Sequence, residues 1–154
     1  MSCLHDAVKA YKNKAMNQIV HNSEIVRAIG EPISSGEELL YQNIFPFFRI
    51  PDTVTETRTY ITVCVDVPES FHPKDYIREV ALKICIIVHQ SMMETALGAT
   101  RLDYIAAEID RIFSDSAGYG LGRLHVVSST ETSLDQFHRM REIIFVSESP
   151  QSGC

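Results

Sequence analysis

Long apolar runs are missing from this 154-residue chain. The longest, Ile84 to Val88, falls far short of the roughly 20 residues a membrane-spanning helix needs. Positive charge is in deficit: 14 Lys and Arg against 20 Asp and Glu leave a net charge of −6. That argues against a domain-wide attraction to DNA, RNA or anionic lipid, and leaves room only for a local basic patch. The four cysteines, Cys3, Cys64, Cys85 and Cys154, form no Cys-x-x-Cys pair. The spacing a structural zinc needs is therefore absent, and free thiols in a reducing compartment are expected. Met1 to Asp6 offers no basic start followed by an apolar core, so no secretory signal is read and the cytoplasm is the expected place of synthesis. Internal repeats are absent too.

What is present is the composition of a globular protein, 45% hydrophobic and 22% charged. A chain of this length buries about 68–70% of its unfolded surface and needs no disulfide or metal to hold a core. One α+β domain is expected over residues 1–147, with a flexible polar tail at 148–154.

Leu4, Val8, Tyr11, Ala15 and Ile19 recur at threes and fours, one apolar stripe of a helix. Ser23 is placed to cap a second short helix that Gly30 stops, and residues 31–43 read as a linking loop. The period then changes. Ile44–Pro51 holds three phenylalanines and two prolines. Pro46 forbids a central strand position, so the segment is an edge strand or an extended arm. Arg58 to Val67 alternates strictly, with Ile61, Val63, Val65 and Val67 on one face and Tyr60, Thr62, Cys64 and Asp66 on the other. Ile77 to about Gln90 is a longer strand, apolar on both sides near Ile84–Val88. Thr100 caps a helix whose face is Leu102, Ile105, Ala106, Ile109, Ile112 and Phe113. Two strands close the chain, Gly122–Ser128 and Arg139–Val146, joined by a polar connection from Ser129 to Gln136. The order is α-β-β-β-α-β-β: a mostly antiparallel sheet with an N-terminal helix and one long helix packed on it. Val63, Val65, Ile84, Ile86, Ile105, Ile109 and Phe113 are its expected core.

Motifs for chemistry are scarce. Gly118, Gly120 and Gly122 follow a helix and precede a strand, the reverse of a dinucleotide-binding loop, and read as a reversing turn. None of His5, His21, His72, His89, His125 and His138 is read as part of a helical metal motif. Ser128-Ser129-Thr130 has no nucleophile elbow around it. No enzyme is legible by motif, and no cofactor or metal is expected. Segment Ile44–Pro51 stands out instead, because exposed aromatics at a sheet edge are a hazard for a monomer. It reads either as the first core strand or as an intersubunit contact.

The helix Leu4–Ile29, Ile44-Phe45-Pro46-Phe47-Phe48 with Ile50-Pro51, Thr59–Val63 and Ala81–His89 form one half of a further pattern. Arg101–Ala107 and Gly122-Arg123-Leu124 complete it. In this order they resemble the tail terminator proteins of long-tailed bacteriophages, the superfamily of the lambda tail terminator, over about residues 4–147. Tyr41–Ile61 and Leu97–Leu124 are also similar to prophage proteins of Gram-positive anaerobes. Head–tail connector and neck proteins share the same element order. The resemblance implies an architectural function without chemistry: a virion protein of the tail or neck, assembled in the host bacterial cytoplasm. It implies a homohexameric ring that caps the tail tube and joins it to the head connector. The implied partners are a second copy of itself, the tail tube protein, the connector protein and, in a contractile tail, the sheath. DNA then passes an acidic lumen without specific binding, and no membrane is involved. Phe48, Arg49 and Ile50 are the expected contacts to a neighbour or the tube, with Phe71 and Tyr76 beside them. The competing reading is a small cytoplasmic α+β binding or regulatory domain centred on Tyr60, His89 and His125. A weaker one is a hydrolase using His125 or His138.

Overall fold

A computed structural model describes residues 4–52, 57–67, 77–120 and 122–150. The elements run α1 (Leu4–Val20), α2 (Ser23–Ile29), β1 (Ile44–Phe45), β2 (Tyr60–Asp66), β3 (Ile77–His89), α3 (Arg101–Phe113), β4 (His125–Ser133) and β5 (His138–Pro150). Short 3-10 helices lie at Gly36–Leu39 and Gln90–Met92. The fold is α+β, and the five strands form one sheet in the order β1-β2-β3-β5-β4. All pairings are antiparallel except the parallel pair of β1 with β2.

The longest apolar run belongs to β3, and a strand apolar on both faces must be interior. It pairs with β2 on one side and β5 on the other. The register sets Val63 opposite Ile84 opposite Ile143, and Val65 opposite Leu82 opposite Phe145. This face meets all three helices: Ala15 and Ile19 of α1, Ile25 and Ile29 of α2, and Leu102, Ile105, Ile109 and Phe113 of α3 are buried against it. The expected core holds, except that Val65 is only partly buried.

Caps explain where the helices stop and start. Asn22, not Ser23, caps α2. Asn22 is extended and its side chain accepts the Ile25 N–H at 2.9 Å, while Ser23 is already helical. Gly30 ends that helix in the left-handed region at φ 78°. Arg101 then donates to the Ala28 carbonyl and, at 2.7 Å, to that of Met92, so one guanidinium ties the end of α2 to the start of α3. Thr100 caps α3 as expected, accepting from Asp103 N–H at 3.1 Å.

The glycine segment is the reversing turn the sequence predicts, and it carries a side chain inward. Gly118 and Gly120, at φ 91° and 117°, flank Tyr119 and turn its ring into the core. There it lies 5.8 Å from the Tyr11 ring and 6.2 Å from that of Phe113, its hydroxyl donating to Gln18. Burial pushes the phenol far above its ordinary pKa.

Boundaries differ from the sequence reading in several places, including the start of β4 at His125 rather than Gly122. The linker 31–43 contains the 3-10 helix Gly36–Leu39, capped by Ser35. Gly36 there lies so close to the Val20 carbonyl that a β-carbon would collide with it. Strand β4 continues to Ser133 instead of yielding to a polar connection at Ser129, because an edge strand wet on both faces needs no apolar alternation. Strand β5 pairs as far as Pro150, opposite Ile77, past the residue at which the tail was expected to begin. Residues 151–154 lie outside the described residues.

Candidate intersubunit surface

The first edge of the sheet is short because of Pro46. Ile44 pairs with Ile61 and points to the helices, and Phe45 pairs with Thr62 and points away from them. The approach to β1 is held by Asn43, whose side chain donates to the Thr59 carbonyl at 3.0 Å and whose own carbonyl accepts from Ile61 N–H at 2.8 Å. Tyr41 precedes it in the left-handed region at φ 62°, a conformation that costs a non-glycine residue about 1–2 kcal/mol.

After Phe45 the chain forms an arm, residues 46–52, over the sheet face that carries no helix. The Phe47 ring sits 5.5 Å from that of Phe45. The Arg49 guanidinium lies 5.1 Å from the centres of both the Phe45 and Tyr60 rings, two cation–π contacts that fasten the arm. Pro51 is buried. Phe48 borders a cavity of about 390 Å³ shared with Cys64, Cys85 and Met140. The outward surfaces remain in water: Phe47 is 47% exposed, Phe48 43%, Ile50 64% and Tyr41 61%.

The core-strand reading of Ile44–Pro51 is met only in part. Ile44 and Phe45 belong to the core, while Phe47, Phe48 and Ile50 face outward. Arg49 is half-buried on its aromatic seat. Phe71 and Tyr76 lie outside the described residues.

At the opposite edge, β4 is nearly all exposed. Val126 and Val127 are the remaining large apolar side chains that the described residues expose, at 40% and 54%. A bulge between Val126 and Ser128 lets both valines reach solvent. Helix α3 stops short of this strand and leaves a groove of about 410 Å³. Its apolar lining includes Ala106, Val126 and Ile143, with Asp103 and Asp110 on the helix side and Arg141 on the sheet side. The Arg141 guanidinium is already engaged, donating to Ser129 Oγ at 2.9 Å and lying 3.9 Å from Glu131.

This groove was not foreseen, although Val126-Val127 is a readable signal: adjacent side chains of a strand cannot both enter one core. Tyr41 carried no such signal.

The histidines do not assemble as the competing readings require. His125 pairs opposite Val146 and His89 opposite His138, so His89 and His125 sit toward opposite ends of β5. Tyr60 is buried under Arg49. A site spanning Tyr60, His89 and His125 is therefore not formed.

His138 is fully buried, its Nδ1 3.1 Å from both carboxylate oxygens of Asp135. Burial alone would raise the Asp135 pKa. The N–H groups of Phe137 and His138, at 2.7 and 2.9 Å, together with the imidazole, outweigh burial and hold it below its ordinary value. This is a turn closure, with the backbone N–H groups of Phe137 and His138 satisfied by one side chain.

Cys64 and Cys85 are free, and burial pushes the Cys85 thiol up to about 11. Among the described residues no group of three His, Cys, Asp or Glu is placed to hold a metal ion, and no helix is long and apolar enough to cross a membrane.

The family model YomW matches residues 10–146. Among solved structures, the chain is similar to one from the virion of a native gene transfer agent particle. The likeness covers 94% of this chain and 98% of that one, with a TM-score of 0.60 and 15% identity. At that identity it is a likeness of fold. No curated protein matches the chain.

Proposed function

The chain belongs to the YomW family, a phage-associated family, and from that premise we propose that it is a structural protein of a phage-type virion. In its finer form the proposal is a tail terminator: a homohexameric ring that caps the tail tube and joins it to the head connector. The observation that carries the reading is the fold likeness to a virion chain, nearly end to end in both proteins.

The surface is consistent with assembly. A closed ring built head-to-tail needs two different patches on each subunit. Among the described residues, the exposed large apolar side chains fall into two such groups, the arm with Tyr41 at the β1 edge and the valines at the β4 edge. Phe48, Arg49 and Ile50 are proposed to meet a neighbouring subunit or the tail tube, with Phe71 and Tyr76 as further contacts. A net charge of −6 per subunit suits a lumen through which DNA passes without sticking. The sheath, in a contractile tail, is the remaining partner.

Function in this reading is shape and closure, so the test is structural. Removing the protein from the particle that encodes it should give tails of uncontrolled length that fail to join heads, seen by negative-stain microscopy. Purified protein should restore them. Tails of normal length joined to heads in its absence sink the terminator assignment.

A further inference from the structure

We propose that the cavity beside Phe48 binds an ammonium group carried on a short apolar stem. The proposal goes beyond the ring reading, and its first test requires no assembly.

The site lies on the sheet face that carries no helix. Its volume of about 390 Å³ falls within the range of small-molecule sites, about 300–1,000 Å³. Strand register gathers the wall. Cys64 of β2 pairs with Lys83 of β3, and Cys85 of β3 lies between Thr62 of β2 and Glu142 of β5. Met140 precedes Glu142 by two residues and so shares its face. Phe48 of the arm forms part of the same wall. An aromatic ring, a thioether and two thiols make a soft, polarisable lining that suits an alkyl or aryl stem.

Charge decides what the stem carries. The ionisable carboxylates and ammonium in the wall are Asp66, Glu142 and Lys83. Lys83 Nζ lies 3.6 Å from Asp66, so those two charges answer one another. Glu142 is half-buried and has no ion pair among the described residues. The Cys85 thiol donates to its Oε2 at 3.8 Å, a weak bond. Burial pushes that thiol up to about 11, so it stays neutral beside the carboxylate. One negative charge in an apolar wall is thus left for a ligand to balance.

Geometry then separates the two common organic cations. A guanidinium takes a carboxylate through both oxygens in a planar fork. Here Oε2 already accepts from Cys85, which leaves Oε1 for a single strong bond. A compact ammonium asks for no more. A free amine presents this chemistry, and so does a lysine of the protein that meets the arm.

Benzylamine, an ammonium at neutral pH, is the probe, and benzyl alcohol is its neutral analogue. Isotope-labelled methionine methyls in the full-length chain place a reporter in the wall at Met140, identified through Met140→Leu. The Met140 resonance should shift saturably with benzylamine, and the alcohol should bind about tenfold more weakly, the scale of one hydrogen bond to a charged group. Glu142→Gln keeps the volume and removes the charge, and should bring the amine down to the alcohol.

Equal affinity of the parent for amine and alcohol overturns the proposal, as does a Met140 resonance that neither compound moves. A preference for the amine that survives in Glu142→Gln overturns it as well. The comparison within the parent stands even if the variant fails to fold. Once binding is seen, light scattering and tail-tube binding separate the two sources. Loss of association in folded Glu142→Gln assigns the ammonium to a protein lysine, and unchanged association assigns it to a free amine. A parent that binds benzylamine but associates with neither itself nor tail tubes removes the ring reading and leaves the cavity site standing.

Discussion

On the face of the sheet that carries the helices, Ile61, Val63, Ile84, Ile86 and Phe145 are closed off from water by α1, α2 and α3. On the other face, Phe45, Tyr60 and Ile87 form a smaller buried cluster with Leu134 and Met140 packed on it. The described cover over that second cluster includes an irregular arm pinned by Arg49. Helices with an apolar stripe consume their own hydrophobic surface when they dock. An arm rich in aromatics consumes only the inner half of its rings and leaves Phe47, Phe48 and Ile50 outside. The helix-covered face therefore closes its apolar surface, while the arm on the other face leaves part of its own exposed.

Changes under the helices test this contrast most severely. Ile109 is fully buried between α3 and the sheet, and Ile109→Ala is expected to cost about 2–5 kcal/mol, the range for large-to-small changes in a core. Urea denaturation measures it, and a loss below about 0.5 kcal/mol would mean this face is not the stabilising one. Gly118→Ala comes next. A side chain at φ 91° is strained by about 1–2 kcal/mol, and Tyr119 should loosen with it, visible as a change in near-ultraviolet circular dichroism.

Acid titration probes the turn beneath the second face. The Asp135 carboxylate has a folded pKa below its unfolded value. Its contribution is therefore fully present above the unfolded pKa, near 3.9, and is lost as pH falls through the lower folded value. Asp135→Asn should lower stability at pH 7 and flatten the loss of stability below about pH 4. A variant whose acid limb overlays the parent's would show that the carboxylate contributes nothing there. The smallest effect is expected from the arm. Phe48→Ser with Ile50→Ser should shift stability by no more than about 0.5 kcal/mol, as surface substitutions do, while removing self-association. Unfolding of this variant would make the arm part of the core and erase the difference between the faces.

Much of this architecture can be read in the chain without its structure. Period-two alternation in Tyr60–Asp66, the threefold and fourfold spacing in α3, the cap at Thr100 and the stop at Gly30 are local signals, set by backbone geometry and by which side chains share a face. Pro46 announces an edge before any pairing is known. The candidate surface was half legible: the cluster of aromatics and prolines marks the arm, but not which rings turn outward.

The amino-acid sequence by itself thus determined the elements and their faces, because each depends on residues within a turn or a strand of one another. Tertiary structure alone decided three things. It set β3 between β2 and β5, which keeps His89 far from His125. It seated Arg49 across the rings of Phe45 and Tyr60, fixing which side of the arm meets water. It ended the reach of α3 short of β4, opening a groove beside Val126. All three are relations between segments distant in the chain, where side-chain volume and strand register, rather than local propensity, choose the arrangement.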